Sequence, residues 1–148
     1  MLEHPKHPEH APLSSRIASY TSWHAHLDQT PQQMAETGFF YAGTVDRTCC
    51  FQCGGGLRNW EPGDNPWIEH TKWYPQCAYV LGKRGQKFMN AVLKKQAELP
   101  KMVNSITVAV QGLEHARIPS LIQYRNLAYS QISKGASRIH LKMTVPTN

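Results

Sequence analysis

The sequence predicts a small α+β domain in which four to five short helices surround a three-stranded antiparallel sheet. Three short runs, at residues 39–41, 48–51 and 57–60, carry aromatic, β-branched or apolar residues, and turns that contain glycine separate them. Segments with helix-start and helix-stop residues flank these runs on both sides. With 148 residues, the chain has room for one ordinary domain and a tail, but not for two domains.

Two helices are predicted before the strands. Ser14 or Ser15 can cap a first helix that extends to about Trp23. Thr30, followed by a proline, supplies the cap of a second helix. Gly38 ends this second helix, because glycine adopts the left-handed conformation of a helix C-terminus without a steric penalty.

Two further helices are predicted after the strands. We expect Asp64 to cap the third helix, which starts in the turn that follows it. The fourth runs from Ala78 to about Lys95, and glycines at Gly82 and Gly85 are expected to bend it.

The two ends of the chain differ in composition from its middle. Residues 1–12 are rich in proline and histidine, and we expect a flexible, solvated leader. Residues 98–148 form a basic tail whose fold the sequence does not define, although the β-branched run at residues 102–110 is compatible with a strand. The domain itself is therefore assigned to residues 13–97.

Four residues with metal-binding side chains have a spacing typical of a zinc site. Cys50, Cys53, His70 and Cys77 form the pattern C-x2-C-x16-H-x6-C. Three thiolates and one imidazole fill a tetrahedral shell and leave no position for water, which indicates one structural Zn²⁺ ion. Cys49 is adjacent to the pattern but faces the other side of its strand, and we expect an ordinary thiol there.

Longer motifs extend to both sides of this pattern. They are MAETGFFYAGTVDRTCCFQC, GGGLRNWEPGDNPWIEH and CAYVLGKRGQKF, preceded by a helix that carries Arg16, Tyr20 and Trp23. Together, over residues 4–97, they resemble the BIR domain of the inhibitor-of-apoptosis proteins, and most of all its third-BIR, peptide-groove kind. The resemblance implies a small zinc-binding α+β fold. It also implies that Arg16 ties the first helix to the domain body, where the sequence alone equally allows a surface arginine.

A second group of residues surrounds the third predicted strand. As an edge strand, it would leave backbone N–H and C=O groups unpaired, and these can bind an extended peptide. Leu57 and Trp60 would supply an apolar floor and Trp73 a wall, while Asp64 and Glu69 bring two carboxylates to one end. Carboxylates beside a small apolar pocket suit a charged α-amino group followed by a small side chain. Taken singly, the tryptophans could instead be core aromatics and Asp64 only a helix cap.

The resemblance implies that this groove binds free N-termini that begin with alanine, from caspases and from Smac-type antagonists. The two carboxylates would hold the ammonium group, and the backbone of Gly56 and Arg58 would pair with the peptide. Trp73 and Tyr74 would stack on a proline or apolar residue two places along. The residues assigned to the groove are Gly56, Leu57, Arg58, Trp60, Asp64, Glu69, Trp73 and Tyr74.

The formal net charge of +6 lies mainly in the tail. Residues 1–100 hold 10 lysines and arginines against 9 acidic residues, whereas residues 101–148 hold 6 against 1. Because the tail has no aromatic-interleaved basic motif, a nucleic-acid partner is not predicted. No stretch reaches the roughly 20 apolar residues of a membrane span, and no signal peptide is recognised. We expect a reduced, cytoplasmic protein, with the nucleus as a second location.

These features predict an interaction domain that regulates apoptosis and has no catalytic residues. The saturated zinc shell cannot activate water, and no nucleophile motif or phosphate loop occurs. Sequestration of antagonists is favoured over direct caspase inhibition, because Leu93 and Lys94 stand where the resemblance would require a His-Leu pair. The alternative is a survivin-like protein that binds a histone N-terminus, which the basic tail disfavours. The tail has no cysteine for RING zinc ligands, which a longer parent protein could carry.

Overall fold

The computed structural model describes the backbone of residues 3–112 and 143–144, and the side chains of residues 3–102. The elements in chain order are a one-turn 3-10 helix (Pro8–His10), α1 (Leu13–Ala18), α2 (Pro31–Glu36), β1 (Phe39–Tyr41), β2 (Thr48–Cys50), β3 (Gly56–Leu57), α3 (Pro66–Trp73), α4 (Ala78–Gly112) and β4 (Met143–Thr144). The predicted α+β class is confirmed, with helices arranged around a small antiparallel sheet.

The sheet contains the three predicted strands and one more, but the third is Gly56–Leu57 and not the predicted residues 57–60. Its order is β1-β2-β3-β4, and all neighbouring strands are antiparallel. Thr48 lies opposite Leu57 where β2 meets β3, and Gly56 lies opposite Thr144 where β3 meets β4. The prediction that β3 is the open edge of the sheet is therefore wrong, because residues from the tail form a strand beyond it.

One hydrophobic core lies between the sheet and the helices. Phe39 of β1, Met34 of α2 and Val80 of α4 are completely buried in it. The Tyr20 hydroxyl donates a 3.1 Å hydrogen bond to the Phe39 carbonyl, which joins the segment after α1 to the sheet. The metal-ligand residues described below belong to the same core, so their positions depend on its packing.

Arg16 anchors α1, as the family resemblance implies. Its side chain is only 3% exposed. The guanidinium donates to the carbonyl oxygens of Ala35 at 2.8 Å, His10 at 2.8 Å and Ala11 at 2.7 Å. It also lies 4.4 Å from the ring centroid of Phe51. The reading of Arg16 as an ordinary surface residue is excluded, although α1 is shorter than predicted.

The N-terminal residues differ from the predicted flexible leader. The His7 amide donates to the Phe51 carbonyl at 2.9 Å, and the His10 ring stacks on Phe40 with 3.9 Å between centroids. The Arg16 bonds to the backbone near His10 hold the segment from the other side. Histidine rings therefore cover one face of β1, a role that the polar composition of this segment did not indicate.

The ends of α2 follow the prediction. The Gln33 amide donates to Thr30 Oγ1 at 3.2 Å, and the Thr30 amide donates to Gln33 Oε1 at 3.0 Å. These reciprocal bonds form a capping box. Gly38 follows the helix with a φ of 95°, which an L-residue rarely adopts.

The cap of α3 is Asn65 and not the predicted Asp64. Asn65 Oδ1 accepts from the amides of Trp67 at 3.0 Å and Ile68 at 3.3 Å. Asp64 instead accepts from the Glu61 amide at 3.0 Å, inside the preceding turn. Both residue types can cap a helix, and Pro66 decides between them because proline favours the first helical position.

The last helix is bent at Gly85, as predicted, where φ is 79° and ψ is 164°. It then continues through Pro100 to Gly112, so the predicted strand at residues 102–110 is wrong. Residues 91–99 are rich in strong helix formers, and an established helix extends through β-branched residues at small cost. None of the described helices combines the length and apolar character of a membrane span.

Candidate metal centre and sheet edge

The four predicted metal-binding residues come together. Cys50 ends β2, Cys53 lies in the turn after it, His70 is in α3, and Cys77 precedes α4. Their ligand atoms all lie within 4.8 Å of one another. The Sγ atoms of Cys50 and Cys77 are 4.0 Å apart, and Cys53 Sγ is 3.7 Å from His70 Nε2. Metal–sulfur bonds of about 2.3 Å in a tetrahedron place ligands about 3.8 Å apart. The geometry therefore fits a tetrahedral zinc ion.

The environment of His70 fixes which nitrogen faces the other ligands. His70 is completely buried, and its Nδ1 lies 2.9 Å from the Thr37 carbonyl oxygen. Because a carbonyl only accepts, Nδ1 is the donor, and in that tautomer the lone pair of Nε2 faces the sulfurs. The Phe39 ring packs against the imidazole with 4.4 Å between centroids. Neither Thr37 nor Phe39 has a sequence signal that identifies this role.

Burial also affects how readily the sulfurs of the cluster ionise. Burial raises the pKa of the Cys50 thiol well above its ordinary value. Hydrogen bonds from the Cys50 and Cys53 thiols lower the pKa of Cys77. A divalent ion would stabilise the thiolate form of all three sulfurs, which is the form that binds zinc. The donor set and its burial thus match a closed, structural site.

Cys49 lies outside the cluster, as predicted. Its Sγ is on the other side of β2, 3.6 Å from His7 Nε2 and 3.3 Å from the Gly54 carbonyl oxygen. Burial raises the pKa of this thiol to about 11, so it is protonated at neutral pH. All four cysteines are free of disulfides.

The direction of the backbone groups on β3 follows from one hydrogen bond. The Cys50 amide donates to the Gly55 carbonyl at 2.9 Å, so Gly55 faces β2. Backbone groups alternate between the two sides of a strand. The N–H and C=O of Gly56 therefore point away from β2, and those of Leu57 point back toward it. Gly56 is the residue through which β3 can pair with another strand.

Tyr74 connects the end of α3 to this edge. Its hydroxyl donates a 2.7 Å hydrogen bond to the Gly56 carbonyl. Its ring lies against Gly55 so closely that a Cβ at residue 55 would stand 2.6 Å from ring carbons. Gly55 is therefore required for the contact between α3 and β3.

The two predicted carboxylates have different surroundings. Glu69 is 7% exposed. Its Oε1 is 2.8 Å from the Lys72 ammonium, and its Oε2 accepts from the Trp73 indole at 3.2 Å. Asp64 is half-buried in a loop that Gln29 fixes, because the Gln29 amide donates to the carbonyls of Glu61 at 2.8 Å and Asp64 at 2.9 Å. No sequence signal identifies this role of Gln29.

The two residues predicted as the groove floor are both buried. Leu57 has no exposed surface, and Trp60 has 4%. The Trp60 indole donates to Thr48 Oγ1 at 3.2 Å and packs edge-to-face on Phe39 at 5.7 Å. Trp60 is therefore a core aromatic as well as a neighbour of the edge. Trp73 and Tyr74 are half-buried, whereas Arg58 is exposed.

Comparisons with known proteins found one family model and several relatives that match this chain. The family model "BIR: Inhibitor of Apoptosis domain" matches residues 16–81. The apoptosis inhibitor IAP of Cydia pomonella granulosis virus is 40% identical over 105 residues, which are 71% of this chain and 38% of that protein. E3 ubiquitin-protein ligase IAP-3 of Orgyia pseudotsugata multicapsid polyhedrosis virus is 45% identical over 87 residues, 59% of this chain and 32% of that protein. The chain thus spans between 32% and 38% of the length of these two relatives.

Among solved structures, DIAP1 BIR1 bound to a Grim peptide is 34% identical. The match covers 45% of this chain and 68% of that chain, with a TM-score of 0.42.

Proposed function

Residues 16–81 of this chain belong to the Inhibitor of Apoptosis (BIR) domain family, and we propose that the chain acts by binding the free N-termini of other proteins, without catalysis. BIR domains are protein-interaction modules, and the Cys3His cluster of this one binds a single structural zinc ion. In this proposal the zinc holds β2, α3 and α4 together, and the binding surface lies on the adjoining edge of β3.

The hydrogen bond between Tyr74 and Gly56 is the observation that carries the proposal. It places the C-terminal end of α3, with Trp73, beside Gly56, whose backbone groups point away from β2, and the Trp73 indole donates to Glu69. An extended peptide paired with Gly56 would therefore run past acidic and aromatic side chains. Pairing through the backbone supplies affinity, and the flanking side chains supply specificity.

Asp64 is the main candidate for holding a peptide ammonium group. Lys72 already neutralises much of the Glu69 charge at 2.8 Å, so Glu69 chiefly positions Trp73. The bonds from Gln29 fix the backbone around Asp64, and a preorganised carboxylate binds an ammonium at lower entropic cost. Leu57 and Trp60 are buried beside this edge, and such an apolar floor suits a small apolar first side chain such as alanine.

The remaining groove residues complete the proposed third-BIR kind of site. Arg58 directly follows β3, and its backbone would be the next to pair with an extended peptide. Half-buried Trp73 and Tyr74 present ring surface to a proline or apolar residue two places after the alanine. We propose that the partners are caspases and Smac-type antagonists with Ala-type N-termini, that competition for the groove regulates apoptosis, and that this occurs in the cytoplasm.

Titration of a fluorescent Ala-Val-Pro-Ile peptide into the zinc-loaded chain tests the proposal. We expect saturable binding that weakens at least about tenfold when the peptide is N-acetylated, because acetylation removes the charge that the carboxylates recognise. A peptide of the same composition with alanine in the last position is the sequence control. The absence of binding by the free peptide, with zinc bound at one ion per chain, would contradict the proposal.

A further inference from the structure

We propose that the chain regulates its own binding site, because β4 occupies the edge of β3 at which a partner peptide would pair. The expected effect on peptide binding rests on the proposed function. The pairing of β4 with β3 does not depend on that function. Met143 and Thr144 form the fourth strand of the sheet, antiparallel to β3. The segment that covers the site is therefore part of the same chain.

The register of the pairing identifies the groups concerned. Thr144 lies opposite Gly56, and Met143 lies opposite Leu57. Leu57 directs its backbone toward β2, as shown above, so Gly56 and Thr144 are the pair that exchanges hydrogen bonds between β3 and β4. Gly56 is also the residue that the proposed peptide needs.

Two strands cannot use this edge at the same time. Gly56 has one N–H donor, and the Tyr74 hydroxyl already takes part of the accepting capacity of its carbonyl. A peptide that pairs with β3 must therefore displace β4. The Tyr74–Gly56 hydrogen bond lies on the α3 side and can coexist with pairing to β4 or to the peptide. It therefore need not break when the peptide displaces β4.

The strength of this competition follows from the connection between the strands. A two-residue strand gains few hydrogen bonds, and as a separate peptide it would bind weakly. Residues 113–142 connect it covalently to α4, so its pairing with β3 is intramolecular and does not depend on protein concentration. The apparent dissociation constant of a partner peptide is then multiplied by one plus the ratio of closed to open chains. Such a contact is weak enough for a strong N-terminal ligand to displace.

Thr144→Pro in the full chain removes the N–H that faces Gly56 and so disfavours β4. Ser133→Pro places a proline in the same tail, outside β4, and is the matched control. We expect Thr144→Pro to bind the Ala-Val-Pro-Ile peptide about threefold or more tightly than the wild type, and Ser133→Pro to bind as the wild type does.

Hydrogen exchange without peptide reports on β4 directly. The Gly56 amide should exchange faster in Thr144→Pro than in the wild type, while the Leu57 amide, which faces β2, should not change. Equal peptide affinity and unchanged Gly56 exchange would overturn the inference and leave the proposed function intact. If neither protein bound the peptide, the proposed function would fail, and the regulation with it. A gain in affinity that varied with protein concentration would show that a second copy supplies the strand, contrary to the inference.

Discussion

The Tyr74 hydroxyl donates a 2.7 Å hydrogen bond to the Gly56 carbonyl and so joins the zinc-bearing helix to the strand at the candidate binding edge. His70, four residues before Tyr74, is a metal ligand of the same helix. The metal therefore positions the edge through a short covalent and hydrogen-bonded route. We therefore expect that loss of the Tyr74–Gly56 hydrogen bond lowers both the stability of the domain and its affinity for the peptide.

Tyr74→Phe removes this hydrogen bond and keeps the ring that packs on Gly55. We expect a loss of about 1 kcal/mol in the free energy of unfolding, together with weaker peptide binding, measured by denaturant titration and by fluorescence. Tyr79→Phe is the matched control, because its hydroxyl also donates to a backbone carbonyl, that of Glu36 at 2.8 Å, but at an exposed position. Unchanged peptide affinity in Tyr74→Phe would refute the coupling between helix and edge.

Cys49 and Cys50 are adjacent, but only Cys50 belongs to the metal cluster, so the two can be compared directly. Cys50→Ser removes a ligand, and we expect loss of bound zinc and of the folded state, since structural zinc contributes on the order of 10 kcal/mol to folding. Cys49→Ser, one residue away, should keep one zinc per chain and a normal circular dichroism spectrum. Metal content by elemental analysis checks both. Loss of zinc from Cys49→Ser would mean that the ligand set is wrong.

Arg16 should be more sensitive to a conservative change than a surface arginine. Lysine has one donor group and cannot reach the carbonyls of Ala35, His10 and Ala11 together. We expect Arg16→Lys to lower the free energy of unfolding by about 2–3 kcal/mol. Arg84→Lys, which alters exposed cation–π contacts with Phe88 at 4.4 Å and Trp67 at 5.5 Å, should cost less than about 1 kcal/mol. Similar losses in the two variants would argue against Arg16 as an anchor.

The wild type should lose more stability in acid than a His10→Phe variant does. Burial lowers the pKa of His10, with smaller opposing and supporting effects from Glu9, His7 and Arg16. The native state therefore binds fewer protons than the unfolded state below the ordinary value of 6.5, and stability falls as the pH drops through this range. His10→Phe keeps a ring that can stack on Phe40, and removes both the titration and a buried Nδ1 that has no hydrogen-bond partner among the described residues.

The measurement for His10 is the difference in the free energy of unfolding between wild type and variant, from pH 7.5 to 5. As the pH falls, we expect His10→Phe to gain stability relative to the wild type, by less than about 1 kcal/mol in the free energy of unfolding. The gain is small because the His10 ring keeps some solvent contact. Acid loss of zinc affects both proteins and cancels in the difference. His4→Phe, at an exposed position, is the control. A constant difference across this range would contradict the assignment.

Local chemistry explains what the sequence could predict. Ligand spacing identified Cys50 and His70, and the Thr30 and Gly38 signals identified α2, because each feature depends on residues close together in the chain. The capping residue of α3 was missed only because Asp64 and Asn65 are neighbours with the same capability.

Long-range contacts explain what the sequence could not predict. The stacking of His10 on Phe40 and the pairing of Thr144 with Gly56 join segments without an apolar pattern of their own. A two-residue strand has no period to detect. Gln29 is similar, since a single buried amide that fixes the Asp64 loop resembles any polar residue in sequence.

The central claim, that the Asp64 end of the edge recognises a peptide ammonium, is tested most directly by a double-variant cycle. Asp64→Asn removes the charge and keeps an oxygen for the Glu61 amide. Asp28→Asn is the control, since Asp28 likewise accepts from a loop amide, that of Gly63 at 3.0 Å. The quantity measured is the ratio of dissociation constants for N-acetylated and free Ala-Val-Pro-Ile peptide. We expect this ratio to be about tenfold smaller in Asp64→Asn than in the wild type or in Asp28→Asn. The same ratio in all three proteins would contradict the account.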